Sequence, residues 1–256
     1  MCNPYKRLVA RAAAVLLSAL ALLGAASPEA RGAVDAFLAR LGNATVTDLA
    51  IEQTLTLFDP AGRQPQSSGQ QRVWLKLPRR QRVEQTIEGR REVRLVLGDR
   101  VWVRGSDGRT YETPHPGPRG DVAHLLVPFR RTGADLLTEW RALGVRDDLS
   151  YSMQSGGRAV TVIGARSGDR TSPQVWLDPE RGVVRFVTRE KLPQGEGVLD
   201  LAFSEHRPLV GGFAMPYRQE AFVNGKLVVL VTVRSAAVNV GVDDALFDPE
   251  ALRRGR

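Results

Sequence analysis

The 256-residue chain carries a formal net charge of +8, and its single cysteine is Cys2. One cysteine excludes a disulfide-stabilised scaffold. Only four of the 36 basic residues are Lys, and this arginine bias is more typical of a GC-rich genome than of a surface selected for nucleic acid.

The first 26 residues are typical of a bacterial secretory signal peptide. Lys6, Arg7 and Arg11 form a positively charged start, and an apolar stretch ending in small residues follows from Ala12 to Ala26. This stretch is shorter than the roughly 20 residues that a membrane span requires. We therefore expect cleavage after residue 26, or as late as residue 32, and a soluble periplasmic protein.

The mature chain, residues 27–256, has a length that fits one large β-rich domain. Its net charge falls to +5, because three of the positive charges lie in the first 26 residues. No cysteine follows the apolar stretch, so we expect no lipid anchor. Export argues against a nucleic-acid partner, and we expect a monomer.

Periodic patterns divide the mature chain into elements. Residues 34–41 place apolar side chains at helical spacing, and residues 48–58 alternate as a first strand. Between residues 69 and 104, four alternating runs joined by short turns predict an antiparallel meander with one apolar and one charged face. The side chains assigned to the apolar face are Val73, Leu75, Leu77, Val83, Gln85, Ile87, Val93, Leu95, Leu97, Val101 and Val103.

Residues 120–144 carry the only long helical pattern in the middle of the chain. Pro128 interrupts this pattern, and Thr132 with Asp135 resembles a capping box for the second helical piece. The helices could simply pack on the sheet, or they could form a lid over an apolar cavity. Seven further strands are predicted between residues 148 and 238, and a short helix or turn ends the chain. The fold class predicted is mainly β (α+β), with about eleven or twelve strands.

The sequence contains none of the common catalytic or metal-binding motifs. His115, His124 and His206 lie far apart in the chain, and no pair of residues has the spacing of a metal site. A nucleophile elbow, a phosphate-binding loop and a dinucleotide fingerprint are all absent from the sequence. We therefore expect no cofactor, no metal, no catalytic residues and no enzymatic activity. The alternative that motifs do not exclude is a hydrolase whose site is assembled from residues far apart in the sequence.

Six arginines lie close together on one predicted hairpin, namely Arg79, Arg80, Arg82, Arg90, Arg91 and Arg94. The simpler interpretation is a solvated sheet face on which Glu84, Glu88 and Glu92 act as cross-strand partners. The alternative is a contact site for lipid headgroups or an acidic partner.

Several segments, taken in their order, resemble the periplasmic lipoprotein carriers, the LolA- and LolB-like outer-membrane lipoprotein-sorting proteins. RVWLKLPRRQRVE at 72–84 resembles a strand, a proline and a strand of that family, and LGDRVWVR at 97–104 is similar to one of its hairpins. PQVWLDPERGVVRFV at 173–187 and the run from Phe213 to Phe247 resemble later segments of its longer members. One position differs, because Leu77 precedes Pro78 where well-known carriers have an Arg that hydrogen-bonds the lid.

The resemblance implies a half-open antiparallel β-barrel wrapped over short helices, with an apolar cavity for acyl chains. The expected function is carriage of lipoprotein or lipid acyl chains toward the outer membrane, between donor and acceptor proteins at the membranes. The alternative is a regulatory or interaction protein of the same fold that binds a protein partner. We expect Val73, Leu75, Leu77, Leu95, Val101 and Val103 to form the wall of the cavity, and Leu126, Phe129, Leu136 and Trp140 to form its lid.

Overall fold

The computed structural model describes residues 26–42, 44–77, 79–114, 132–192 and 195–255. The described strands form one antiparallel sheet of 13 strands, in the order β6-β5-β4-β3-β2-β1-β13-β12-β11-β10-β9-β8-β7. The strands are β1 Asp48–Phe58, β2 Pro65–Lys76, β3 Arg80–Ile87, β4 Arg90–Leu97, β5 Arg100–Arg104, β6 Thr110–Pro114, β7 Ser150–Ser155, β8 Arg158–Ile163, β9 Gln174–Asp178, β10 Gly182–Leu192, β11 Gly195–Val210, β12 Phe213–Val223 and β13 Lys226–Val238.

The predicted fold class is confirmed, and the structure adds one strand to those predicted. Strand β6 follows the turn at Ser106–Gly108 and pairs with β5, placing Tyr111 opposite Val103. The prolines that begin at Pro114 make this stretch resemble a loop in the sequence. The chain closes the meander by pairing β1 with β13, so that the first strand lies near the middle of the sheet.

Two helices lie on one side of the sheet, which we call the helix face. Helix α1 spans Pro28–Leu41 and begins six residues before the predicted helix. The Ser27 hydroxyl caps it by accepting a hydrogen bond from Ala30 N. Helix α2 spans Gly133–Ala142 and has the predicted capping box, in which Thr132 and Asp135 exchange hydrogen bonds. The first helical piece predicted around Asp121 lies outside the described residues.

The C-terminal segment, residues 242–255, lies on the opposite side of the sheet, which we call the tail face. It contains a 3₁₀ turn at Asp244–Phe247 and helix α3 at Pro249–Arg253, as the sequence predicts for a short final helix or turn. Its apolar side chains and those of β2, β4 and β5 form a cluster that is separate from the main core. The cluster contains Trp74, Val93, Leu95, Leu97, Trp102, Val242, Leu246, Phe247 and Leu252.

The meander does not have the single apolar face that was predicted. Because Ile87 pairs with Arg90 across a two-residue turn, odd-numbered residues of β3 share a face with even-numbered residues of β4. Val83 therefore faces the same side as Arg94, and Leu95 faces the opposite side. The prediction that Val93, Leu95 and Leu97 share a face with Val73 is wrong, since all three belong to the tail-face cluster.

Candidate functional site

The helix face has a covered part, where α1 and α2 pack on the sheet. Phe37 of α1 and Leu136 and Trp140 of α2 belong to the same buried cluster as residues from both halves of the sheet. The strand residues of this cluster are Leu49, Ile51, Val73, Ile163, Val175, Leu177, Val183, Phe186, Leu201, Phe203, Phe213, Met215, Tyr217 and Val233. The two helices thus fill this part of the helix face with an ordinary packed core.

Polar contacts fix the start of α1 to the edge of the sheet at β7. The Ser27 and Ser150 hydroxyls lie 2.6 Å apart, and Glu29 accepts hydrogen bonds from Ser150 at 3.1 Å and from Ser152 at 2.7 Å. The backbone N–H of Ser27 also donates to the carbonyl of Asp147 at 2.7 Å. Helix α1 is therefore held by its first turn as well as by its apolar side.

Two glycines allow α1 to approach its neighbours closely. A Cβ atom at Gly182, whose φ is +85°, would lie 2.9 Å from Cζ of Phe37, and one at Gly133 would lie 2.3 Å from Oδ1 of Asp35. A side chain at Gly182 would push α1 away from the β9–β10 turn, because Phe37 is buried, whereas the exposed Asp35 side chain can swing away from a side chain at Gly133. The position of α1 on the sheet therefore depends chiefly on Gly182.

Beyond these helices, the helix face carries apolar side chains that are only half-buried. Leu55 and Leu57 of β1 face the same side as Ile51, and they lie opposite Val231 and Val229 of β13. Ile87 of β3 lies next to them across Gly69 of β2. None of these five apolar residues belongs to a core cluster of the described part of the chain. We call Leu55, Leu57, Ile87, Val229 and Val231 the open strip.

A row of polar side chains separates the covered part from the open strip. Gln53, Gln71, Gln85 and Glu92 lie directly opposite one another on β1, β2, β3 and β4. Gln53 donates from Nε2 to Oε1 of Gln71, Gln71 donates to Gln85 at 3.2 Å, and Gln85 donates to Glu92 at 3.2 Å. We call these four residues the amide row.

A second polar position lies on β10 of the helix face. Thr188 is 1% exposed, and it lies beside Leu199 of β11. Its hydroxyl and Oε1 of Glu190 are buried without a hydrogen-bond partner in the described part of the structure. Such atoms are uncommon in folded proteins, and they leave hydrogen-bonding capacity unused on this face.

The predicted wall residues lie in three different places. Val73, Leu75 and Leu77 contact the main core, under the helices. Val101 and Val103 are buried on the helix face in a small cluster with Val96. Leu95 is on the tail face beneath the C-terminal segment, so it does not line the same surface as the others.

Two of the four predicted lid residues lie within the described residues. Leu136 and Trp140 are both 2% exposed, and they pack in the main core. Leu126 and Phe129 lie outside the described residues. In this structure Leu136 and Trp140 therefore act as core residues of a closed cover.

The arginine-rich hairpin has a structural task that the sequence did not indicate. Arg82 is buried, forms an ion pair with Glu84 at 2.7 Å, and donates to the carbonyl of Leu246 at 2.9 Å. Arg80 and Lys76 both bind Asp244 at 2.6 Å. These contacts attach the C-terminal segment to the tail face, because they join its turn to β2 and β3. The remaining contacts, Arg91–Glu84, Arg94–Glu92 and Arg79–Asp99, are ion pairs of the kind that the simpler interpretation predicts.

One described titratable group, His206 on β11, has a strongly lowered pKa. Both ring nitrogens of His206 are buried without partners, and burial lowers its pKa to about 4, with Arg181 and Arg158 adding to the effect and Asp178 opposing it. The ring is therefore neutral at pH 7 and shielded from solvent. Among the described residues, no group of three or more His, Cys, Asp or Glu side chains could hold a metal ion.

The residues of the open strip and of the amide row were not predicted from the sequence as candidate site residues. Leu55 and Leu57 alternate in the same way as the buried Leu49 and Ile51 on one strand, so the sequence does not show which pair is covered. The amide row could have been found, since Gln53, Gln71 and Gln85 each interrupt an apolar face at one position of three neighbouring strands.

The fold is similar to several solved structures, although no family model and no curated protein matches the sequence. An outer membrane lipoprotein-sorting protein domain from Vibrio parahaemolyticus has a TM-score of 0.54 and 10% identity, covering 88% of this chain and 100% of that one. A DUF1329 family protein from Desulfovibrio piger has a TM-score of 0.54 and 13% identity, covering 88% and 99%. A LolA superfamily protein from Nitrosomonas europaea has a TM-score of 0.50 and 9% identity, covering 89% and 99%.

These structures confirm the predicted resemblance to lipoprotein-sorting proteins at the level of the fold. Identities of 9–13% carry the likeness no further than the fold. The described part of the chain has no helix that is both long and apolar enough to cross a membrane.

Proposed function

We propose that this protein is a non-enzymatic periplasmic carrier, which binds the acyl chains of lipoproteins or lipids and transfers them toward the outer membrane. The observation that carries the proposal is the open strip, where five apolar side chains are only half-buried on the helix face beside a packed core. A contiguous apolar surface of this kind usually marks a binding site. The lipoprotein-sorting fold of similar structures supports the same function.

The energetics of acyl binding set a requirement for release. Each methylene that is removed from water contributes roughly 0.8 kcal/mol, so two or three acyl chains in a rigid pocket would dissociate extremely slowly. A carrier must therefore pass its cargo directly to an acceptor or close its binding surface. Movement of α2 and of the residues before it, including Leu126 and Phe129, would provide such closure. Donor and acceptor proteins at the two membranes are the partners that this function requires, and the carrier would act as a monomer.

The structure of α1 bears on where the signal peptide is removed. Ser27 and Glu29 anchor the start of α1 to β7, so cleavage after residue 26 would keep both anchors. Cleavage as late as residue 32 would remove them together with the first turn of the helix. We therefore propose that the mature protein begins at Ser27.

The test is to purify residues 27–256 from a bacterial periplasm, extract bound lipid and identify it by mass spectrometry. We expect acylated species to co-purify, and a fluorescent fatty-acid probe to bind saturably and to be displaced by them. If no acyl lipid is extracted and the probe shows no saturable binding, the carrier function is wrong. The open strip would then be a contact surface for a protein partner, as in the regulatory alternative.

A further inference from the structure

The amide row lies at a particular place on the helix face, at the border between the packed core and the open strip. On β1, Gln53 lies between Ile51 of the core and Leu55 of the strip. On β3, Gln85 lies between Val83, which contacts the core, and Ile87 of the strip. An acyl chain lying along the strip would therefore have one of its ends near the row.

The carboxylate at the end of the row fixes the direction of every hydrogen bond in it. Glu92 can only accept when it is ionised, so Gln85 must donate to it through Nε2. The carbonyl oxygen of Gln85 then accepts from Gln71, whose own carbonyl oxygen accepts from Gln53. The row thus runs in one direction and ends at the carbonyl oxygen of Gln53.

The hydrogen bonds within the row leave a defined set of donors and acceptors unused. Each glutamine amide has two N–H groups, and the row uses one of them on Gln53, Gln71 and Gln85. Gln53 is only 9% exposed, and its Oε1 accepts no hydrogen bond from a described residue. The carbonyl oxygen of Gln53 and the second N–H groups of the three glutamines are therefore available to a ligand or to water.

We propose that the amide row binds the polar linkage of an acylated ligand, that is, the ester or amide group that joins each acyl chain to the rest of the molecule. The second N–H groups of the glutamines donate to the carbonyl oxygens of the linkage. The carbonyl oxygen of Gln53 accepts from an amide N–H or a hydroxyl group of the ligand. This inference rests on the proposed carrier function, and it names the ligand class as carbonyl-linked acyl lipids rather than hydrocarbon chains in general.

The experiment compares two glycerolipids that have the same headgroup and chain length, one with ester-linked chains and one with ether-linked chains. Both compete against N-phenyl-naphthylamine, an apolar probe that has no carbonyl group. We expect the wild-type protein to bind the ester lipid about twofold to tenfold more tightly, the amount that one net hydrogen bond contributes. In Gln71→Met, which conserves side-chain volume, the ester lipid should bind as weakly as the ether lipid.

Gln70→Met is the matched control, because Gln70 is exposed on the tail face of the same strand, between Thr54 and Thr86. This variant should keep the wild-type preference for ester over ether. Gln85→Met provides a second test in the row, should Gln71→Met fail to fold, and it should lose the preference as well. Thermal melting and probe affinity establish that each variant is intact.

Two different results would overturn the proposals, and they can be distinguished. Equal binding of the ester and ether lipids by the wild type, or a preference that persists in both row variants, overturns the role of the amide row alone. Failure of the apolar probe and of both lipids to bind overturns the carrier function, and the amide-row proposal with it.

Discussion

The covered part of the helix face and the open strip are built from the same strands, yet they have different surroundings. On β1, Leu49 and Ile51 are buried in the main core, while Leu55 and Leu57 are half-buried beyond the amide row. The main core also contains Phe37 of α1 and Trp140 of α2, and no residue of the open strip belongs to it. What covers an apolar residue, rather than the strand pattern that presents it, thus determines whether it serves the core or a ligand.

The tail face shows the same distinction in a different form. The C-terminal segment covers Leu95 and Trp102 there, and the buried Arg82 holds it by an ion pair and a hydrogen bond to a main-chain carbonyl. Substitutions at covered positions should therefore change the stability of the fold. Substitutions at the open strip should change binding and leave stability nearly unaltered.

The largest loss of stability is expected on substitution of Trp140 in the covered part. Trp140→Ala removes a fully buried indole from the main core, and it should lower the free energy of unfolding by about 3–5 kcal/mol. Urea denaturation followed by circular dichroism would measure the change. Thr138→Ala, an exposed position on the same helix, is the control and should have little effect.

The same variant tests whether α2 is a lid. If Trp140→Ala is as stable as the wild type but binds the fatty-acid probe far more weakly, then Trp140 belongs to a mobile lid rather than to the core. That result would remove the distinction between the covered part and the open strip at this position.

A somewhat smaller loss of stability is expected on substitution of Leu95 on the tail face. Leu95→Ala creates a cavity beneath the C-terminal segment and should cost about 2–4 kcal/mol of stability. Probe affinity, measured well below the melting temperature, should stay at the wild-type value because Leu95 faces away from the open strip. A loss of affinity without a loss of stability would restore Leu95 to the cavity wall.

The face of Leu95 could have been predicted from the sequence, because it follows from the length of one turn. Glu88 and Gly89 have φ values of +49° and +75°, and they connect β3 to β4 by a two-residue hairpin. Across such a hairpin, odd-numbered residues of one strand share a face with even-numbered residues of the other. Counting through the turn therefore places Leu95 on the face of the sheet that Val83 does not share. The strands, the capping box of α2 and the final short helix were predictable for the same reason, since each depends on residues that are close in sequence.

Local patterns could not predict which apolar residues are covered. The main core that contains Ile51 also includes α1, which is held against β7 by contacts over more than 100 residues, such as Glu29 with Ser152. The attachment of the C-terminal segment depends on Arg82 reaching the carbonyl of Leu246 across 164 residues. Alternation specifies the two faces of a strand, but tertiary contacts decide what lies on each face.

A substitution in the open strip should weaken ligand binding more than stability, which is the opposite of the result expected at the covered positions. Leu57→Asp places a charge among Leu55, Val229 and Ile87, and it should weaken binding of the fatty-acid probe by tenfold or more, which is about 1.4 kcal/mol. Its stability should fall less than in Trp140→Ala and Leu95→Ala, because Leu57 is only half-buried and lies outside the core clusters of the described residues. Fluorescence titration and thermal melting would measure the two quantities.

Thr56→Asp is the matched control for Leu57→Asp, because Thr56 lies next to it on β1 and faces the other side, opposite Leu230 and Ser68. This control should bind the probe as the wild type does. Equal loss of affinity in both variants would indicate that β1 itself is disturbed, and unchanged affinity in both would remove the open strip from the binding site.

The smallest effect is expected from the ion pairs that hold the C-terminal segment. A hydrogen bond from Lys76 and the nearby charge of Arg80 hold the pKa of Asp244 below its usual value of 3.8. A carboxylate with a lowered pKa stabilises the fold fully above its unfolded pKa, and this contribution disappears as pH falls through the folded pKa. Asp244→Asn should therefore lower the melting temperature slightly at pH 7, and the difference from the wild type should vanish on acidification below pH 3.8. A difference that persists unchanged in strong acid would mean that Asp244 attaches the C-terminal segment by its shape rather than by its charge.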